Sequence, residues 1–264
     1  MRMRARAGVP TILALTAAAL VTVVLERVDY AAGRTVWDGI YSTAQAARGK
    51  EIYTRECLRC HGANLEGGNG TGEGLTQGGV SLSSDHFKQN WYSSSVNDLY
   101  NKISKTMPAQ PPTRTGTLSQ QEVVDLISYL LAFNGFPAGM SELTYQPELA
   151  IIDIVGKDGP EAPQTGQTAR AIGCLTAGTG PNAWLLSQAT APIKSKSTGL
   201  STGPELERAQ SIPLGDHTIR LLNARPGAVV AAGAKVEAKG RYVRIDNEDR
   251  ISVLSFQMLS NTCS

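Results

Sequence analysis

The chain has almost no net charge. Its 264 residues carry 25 lysines and arginines against 23 aspartates and glutamates, and the excess of +2 comes largely from Arg2, Arg4 and Arg6 at the very start. Beyond them the charges nearly cancel, so no basic face for nucleic acid is indicated, and docking rests on local patches rather than on overall attraction. Internal repeats and heptads are also missing, which excludes a solenoid and a coiled coil. Histidine occurs three times and cysteine four times, so metal and thiol chemistry is confined to a few positions. An apolar fraction of 41% is that of a globular chain, with 27 glycines and 13 prolines gathered in stretches that read as loops or linkers.

What is present begins with an arginine-rich start and about 17 apolar residues from Val9 to Leu25. Such a run fits a secretory signal and is marginally long enough to anchor in a bilayer; both readings imply export. No clean small-x-small cleavage site follows, because Asp29 and Tyr30 precede Ala31 and Ala32 where small residues are expected. Residues 1–33 are therefore expected to be a signal peptide or an N-terminal membrane anchor. The remainder has room for two modest domains with separate cores.

The first half reads as helical. AQAARGKEIYTREC, from Ala44 to Cys57, has good helix formers with Ala46, Gly49, Ile52 and Tyr53 near one face. The glycine-rich stretch from Gly62 to Gly79 predicts a long loop. A short helix is expected over VNDLYNKIS, and PAQPP from Pro108 is stiff and extended. SQQEVVDLISYLLAFNG opens with Ser119 as cap and Glu122 three residues on, carries Val123, Ile127, Leu130 and Leu131 at helical spacing, and stops at Gly135 and Pro137. A hydrophilic connector with an apolar island, IIDIV, runs on to about Gln167. The runs RAIGCL, AWLLS, HTIRLL, KVEAKGRYVRI and RISVLSFQML then predict a small antiparallel β domain, a barrel or sandwich like an OB-fold.

The chemistry is concentrated in Cys57-Leu58-Arg59-Cys60-His61. Two thiols three positions apart can each add to one vinyl group of the same haem, and the adjacent histidine is then held beneath the iron. A thioredoxin-type dithiol would sit at a helix start in a βαβ setting, which is not seen here. Zinc would need further Cys or His ligands nearby. For a second axial ligand, Met107 lies on no apolar stripe, between Lys105, Thr106 and the proline run, and is favoured over core filling. His86 is the alternative and would give a bis-histidine site. Met140 lies beyond the last helix, and Met258 belongs to the second half.

With these residues in place, Ala44 to about Gly135 resembles a class I cytochrome c domain. The resemblance implies an all-α fold around one covalent haem c, with thioether bonds at Cys57 and Cys60, His61 as proximal iron ligand and Met107 as distal ligand. It also implies that the first and last helices cross closely through Gly49, Tyr53 and Tyr129. In many members a proline carbonyl after the motif orients the proximal histidine; GTGEGLTQGG has no proline, so the partner of His61 is unassigned. VWDGIYSTAQAARG is similar to cytochromes that serve periplasmic dehydrogenases.

The expected organisation is thus residues 1–33 as signal or anchor, 34–140 as cytochrome c domain, 141–167 as linker and 168–264 as β domain. In the last, Cys174 and Cys263 are expected to form a bridge between the first and last strands. His217 has no ligand neighbour at useful spacing, and RIDNEDR from Arg244 reads as a charged hairpin turn rather than a calcium loop. Neither an aromatic row nor a basic stripe suggests a nucleic-acid or sugar site on the β domain, so docking or packing is its expected role. The expected function is periplasmic electron transfer between redox-protein partners, serving a dehydrogenase or respiratory chain, by a carrier rather than an enzyme. Association with the membrane would come through the N-terminal segment. A single CxxCH counts against a di-haem peroxidase; a haem sensor or a redox-enzyme subunit with a labile distal ligand is the alternative.

Overall fold

A computed structural model describes residues 33–68, 78–109, 114–226 and 230–263. The arginine-rich start, the apolar run after it, residues 69–77 of the glycine loop and residues 110–112 of the PAQPP run lie outside the described residues. Among the described residues, no helix is long and apolar enough to cross a membrane.

The first half is helical. Helix α1, Thr43–Glu56, begins at Ser42, whose hydroxyl accepts from Gln45 N, and buries Ala46, Gly49, Ile52 and Tyr53, the four residues that share a face in the sequence. A single turn, α2, Leu58–His61, follows at once. Helix α3, Ser84–Trp91, was not expected from the sequence: SDHFKQNW is polar and buries Phe87 alone. A two-residue strand, β1, Ser94–Ser95, leads into α4, Val96–Thr106, where Ser95 and Asp98 form a capping box. Helix α5, Gln120–Phe133, has the Ser119–Glu122 capping box that its sequence spells out.

Helix α1 packs across α5. A Cβ added to Gly49 would overlap the backbone carbonyl of Asp125 and stand 2.9 Å from Tyr129 Cβ, so only glycine lets the two backbones approach this closely. The Tyr53 and Tyr129 rings meet beside it with centroids 5.3 Å apart. Asp125 is buried in the same crossing and accepts hydrogen bonds from Gln45, Arg48 and Gln121.

The apolar island after α5 is part of this core. Pro147–Ile151 forms a 3₁₀ turn, and β2, Asp153–Ile154, pairs antiparallel with β1. Ile152, Ile154 and Val155 are buried, and Asp153 exchanges backbone hydrogen bonds with Arg34 and Val36. Burial of three aliphatic side chains is the reason for docking this stretch rather than leaving it in water.

The second half is a β barrel. Its strands are β3, Thr168–Ala177; β4, Trp184–Ala189; β5, Ile193–Lys194; β6, His217–Leu222; β7, Lys235–Ile245; and β8, Glu248–Ser260. Five of them close in the order β3-β4-β6-β8-β7 and back to β3, and β5 pairs with β3. Every pair is antiparallel except β6 with β8, which is parallel, so the sheet is not wholly antiparallel as the strand runs suggested. The lining is rich in small residues, including Ala169, Ala171, Ala189 and Ala238, with Leu175, Leu186, Val236 and Ile251 filling the centre. The charged RIDNEDR stretch is the β7–β8 hairpin, with Asp246 and Asn247 both at positive φ as a two-residue turn demands. Cys174 and Cys263 are joined, Cα atoms 5.8 Å apart. Helix α6, Pro204–Ser211, was also not expected; it carries Arg208, which reaches the helical half through Asp153 Oδ2 at 2.6 Å and Ile151 O at 3.1 Å.

Candidate haem site

Helix α1 ends at Cys57, whose N–H still donates to Tyr53 O, and α2 starts on the next residue. One helical turn therefore separates the two sulfurs and sets His61 N on Cys57 O at 2.9 Å. The chain then reverses at Gly62, at φ +80°, and Tyr53 donates its hydroxyl to Gly62 O at 2.6 Å. Cys57 and Cys60 are half-buried and not bonded to each other. Burial first, then the carboxylate of Glu56 and the neighbouring Cys60, push the Cys57 thiol up to about 12.

His61 is 8% exposed. Its Nδ1 lies 2.8 Å from Val80 O. A carbonyl can only accept, so Nδ1 carries a proton, and Nε2 is the nitrogen left for a metal. This is the histidine partner that the sequence left unassigned. The two ends of the glycine loop hold it in place: Gly67 N donates to His61 O, Gly79 N to Cys60 O, and Gly68 N to Gly79 O. A Cβ on Gly79 would stand 2.7 Å from His61 Nδ1 and 2.8 Å from Cys60 O, which explains a glycine immediately before the bonding carbonyl.

Met107 closes α4, its N–H bonded to Ile103 O, and is half-buried against the same helical core as Cys57. The loop after it folds back, with Gly116 N donating to Met107 O at 3.3 Å and Thr115 Oγ1 to Pro108 O at 3.1 Å. Arg114 in that loop bonds Glu56 Oε2 at 2.5 Å, and Arg55 bonds the other oxygen at 2.9 Å. Glu56, its side chain 6% exposed, thus ties the residue before the first sulfur to the loop of Met107. The hydrogen bond from Arg55, then that from Arg114, hold its carboxyl below the usual range against the opposing effect of burial. Sequence reading missed Glu56, Arg114 and Gly79. The other candidates stand elsewhere: His86 is exposed on α3, Met140 is fully exposed, and Met258 lies in β8. His217 is exposed beside Asp216.

The donor set suits a c-type haem: two unbridged sulfurs one turn apart, a buried imidazole whose Nδ1 is engaged by a carbonyl, and a thioether on the same core. It does not suit zinc, since among the described residues no group of three or more His, Cys, Asp or Glu is placed to hold a metal ion.

Residues 44–130 match the family model described as cytochrome C oxidase, cbb3-type, subunit III. No curated protein and no solved structure matches the chain. Residues 44–130 are therefore a c-type cytochrome domain, whose family implies haem c and electron transfer, and the β barrel lies outside the matched region.

Proposed function

We propose that this chain is an exported, periplasmic electron carrier with one haem c, bonded covalently to Cys57 and Cys60 and ligated by His61 and Met107. The observation that carries the reading is the hydrogen bond from His61 Nδ1 to Val80 O, which fixes a buried imidazole with its other nitrogen free one residue after the second sulfur. When bound, the haem supplies a one-electron iron couple. The protein's contribution is positional: α1 and α2 set the sulfur spacing, the Val80 carbonyl raises the basicity of the proximal ring, and the helical core excludes water. A thioether ligand from Met107 would favour reduced iron relative to a second histidine. The expected partners are a redox-protein donor and an acceptor, in a dehydrogenase or respiratory pathway, with the N-terminal segment as signal or anchor. The closed five-strand order with one parallel pair supports an OB-like reading of the barrel. A second reading, a haem-bearing subunit of an oxidoreductase with a labile distal ligand, is favoured by the oxidase-subunit description of the matching family.

Mass spectrometry of the protein purified from its native compartment should show the polypeptide plus one haem, resistant to acidified acetone. Oxidised protein should show the weak far-red absorption band that the family resemblance implies for methionine ligation, and Met107→Ala should abolish it. Absence of haem mass refutes the whole reading; persistence of the band in Met107→Ala refutes Met107 alone.

A further inference from the structure

The helical domain and the barrel meet around a cavity of about 240 Å³, walled by Ser93, Ser94 and Ser95 on one side and by Arg170, Lys196 and Glu205 among others on the second. Most charged groups on these walls are engaged. Arg208 pairs with Asp153, Lys194 with Glu161, Lys239 with Ser201 Oγ, and Lys196 with the carbonyls of Gln89 and Asn90. Two make no hydrogen bond among the described residues. The Arg170 side chain is only 20% exposed and is ion-paired at long range with Glu237 Oε1, at 3.7 Å. Glu205 is half-buried with no hydrogen bond or ion pair among the described residues, and burial raises its carboxyl above the usual range.

The unsatisfied groups of the fold collect at the same place. Among the described residues, the buried side-chain atoms lacking a hydrogen-bond partner are Ser93 Oγ, Arg208 Nε and Glu237 Oε1. Two belong to residues on the cavity wall, and the third belongs to the residue behind Arg170. Buried polar groups are ordinarily paired, so three such atoms around one cavity leave donor and acceptor capacity there for a polar ligand to use.

Charge selects the class of that partner. The five cations of the wall are balanced by Asp98, Asp153 and Glu205 together with Glu161 and Glu237 just behind it, so the site offers separated charges of both signs rather than a net positive field. A bare anion gains little in such a site. We propose that the cavity binds a small zwitterion of the α-amino acid class, its carboxylate held by the forked donors of Arg170 and its ammonium by Glu205. The volume lies below the range of about 300–1,000 Å³ typical of drug-sized ligands, which fits a molecule of that size. Because the serine wall belongs to the helical half and Arg170 and Glu205 to the barrel half, an occupied cavity bridges the two.

The test uses the full-length haem-loaded protein, titrated calorimetrically and followed by thermal unfolding with a panel of free α-amino acids up to ~10 mM. Succinate, with carboxylates only, and putrescine, with amines only, are the comparison probes. At least one amino acid should bind saturably and raise the unfolding midpoint while neither comparison probe does so. Glu205→Gln should weaken that binding by at least about tenfold. Arg170→Gln should weaken it similarly. The proposal is overturned if no amino acid binds at ~10 mM, if succinate or putrescine binds as well as any amino acid, or if Glu205→Gln binds like the parent.

Discussion

Replacing Gly49 by alanine sets two effects of opposite sign against each other. Intrinsic helix propensity favours alanine over glycine by about 1 kcal/mol in a helix interior, so an isolated α1 would gain from the change. In the folded protein the new Cβ overlaps the Asp125 carbonyl, and Tyr129 Cβ would stand only 2.9 Å away. A backbone carbonyl cannot rotate aside as a flexible side chain can, so α1 must move off α5. Overpacking of this kind costs about 1–3 kcal/mol, and a backbone obstacle belongs at the upper end. Less the propensity gain, about 2 kcal/mol of destabilisation remains. Denaturant unfolding of the haem-loaded protein, followed at the haem absorbance so that the helical domain is read apart from the barrel, should show a lower midpoint with an unchanged slope. A Gly49→Ala protein as stable as the parent, or more stable by about 1 kcal/mol, would mean that propensity wins and that the helices do not cross in contact.

Further expectations concern charge, the disulfide and the distal loop. Burial raises the Asp125 carboxyl, but hydrogen bonds from Arg48, Gln121 and Gln45 outweigh it and hold the group below its ordinary value. A depressed carboxyl stabilises the fold above the unfolded-state pKa of about 3.9 and loses that contribution as pH falls through the folded value. Asp125→Asn should therefore flatten the acid limb of a stability-against-pH curve and cost about 1–3 kcal/mol near neutrality; an unaltered acid limb would refute it. The Cys174–Cys263 link spans 89 residues, and in the chain-entropy account a loop of that size is worth about 4–5 kcal/mol. Replacing both cysteines by serine should lower the barrel's unfolding midpoint and leave the haem-reported transition in place, and a loss confined to the haem transition would contradict this. Arg114→Ala should weaken the far-red band of the oxidised protein by freeing the Met107 loop from Glu56, with Arg114→Lys partly restoring it. An unchanged band would show that the clamp does not position the loop.

Helices α1, α4 and α5 were legible because their signals are local: a cap, a capping box, apolar residues three and four apart. Helices α3 and α6 were not, since SDHFKQNW and PELERAQS each bury one side chain, Phe87 and Ala209, too few to show an apolar stripe at helical spacing. The five barrel strands were visible as apolar runs. Their order was not, because the parallel pairing of β6 with β8 joins segments separated by the whole of β7, and nothing in HTIRLL or RISVLSFQML names its neighbour. The IIDIV island looked like an interruption in a linker, yet its alternation matches its role, with Ile152 and Ile154 turned into the helical core and Asp153 facing Arg208.

The site divides along the same line, between chemistry written in adjacent residues and chemistry assembled through space. The five residues from Cys57 to His61 announce a haem attachment because sulfur spacing and ligand adjacency are properties of one helical turn. The group that orients His61 leaves almost no trace. It is a backbone carbonyl, which every residue possesses, so the identity of Val80 carries no information, and its distance of 19 residues hides it inside a loop. What selection could act on is the space that the carbonyl needs. Gly79 holds that space, since any side chain there would collide with the imidazole and with Cys60 O. In a loop full of glycines, this one cannot be told apart until the fold brings it against the histidine.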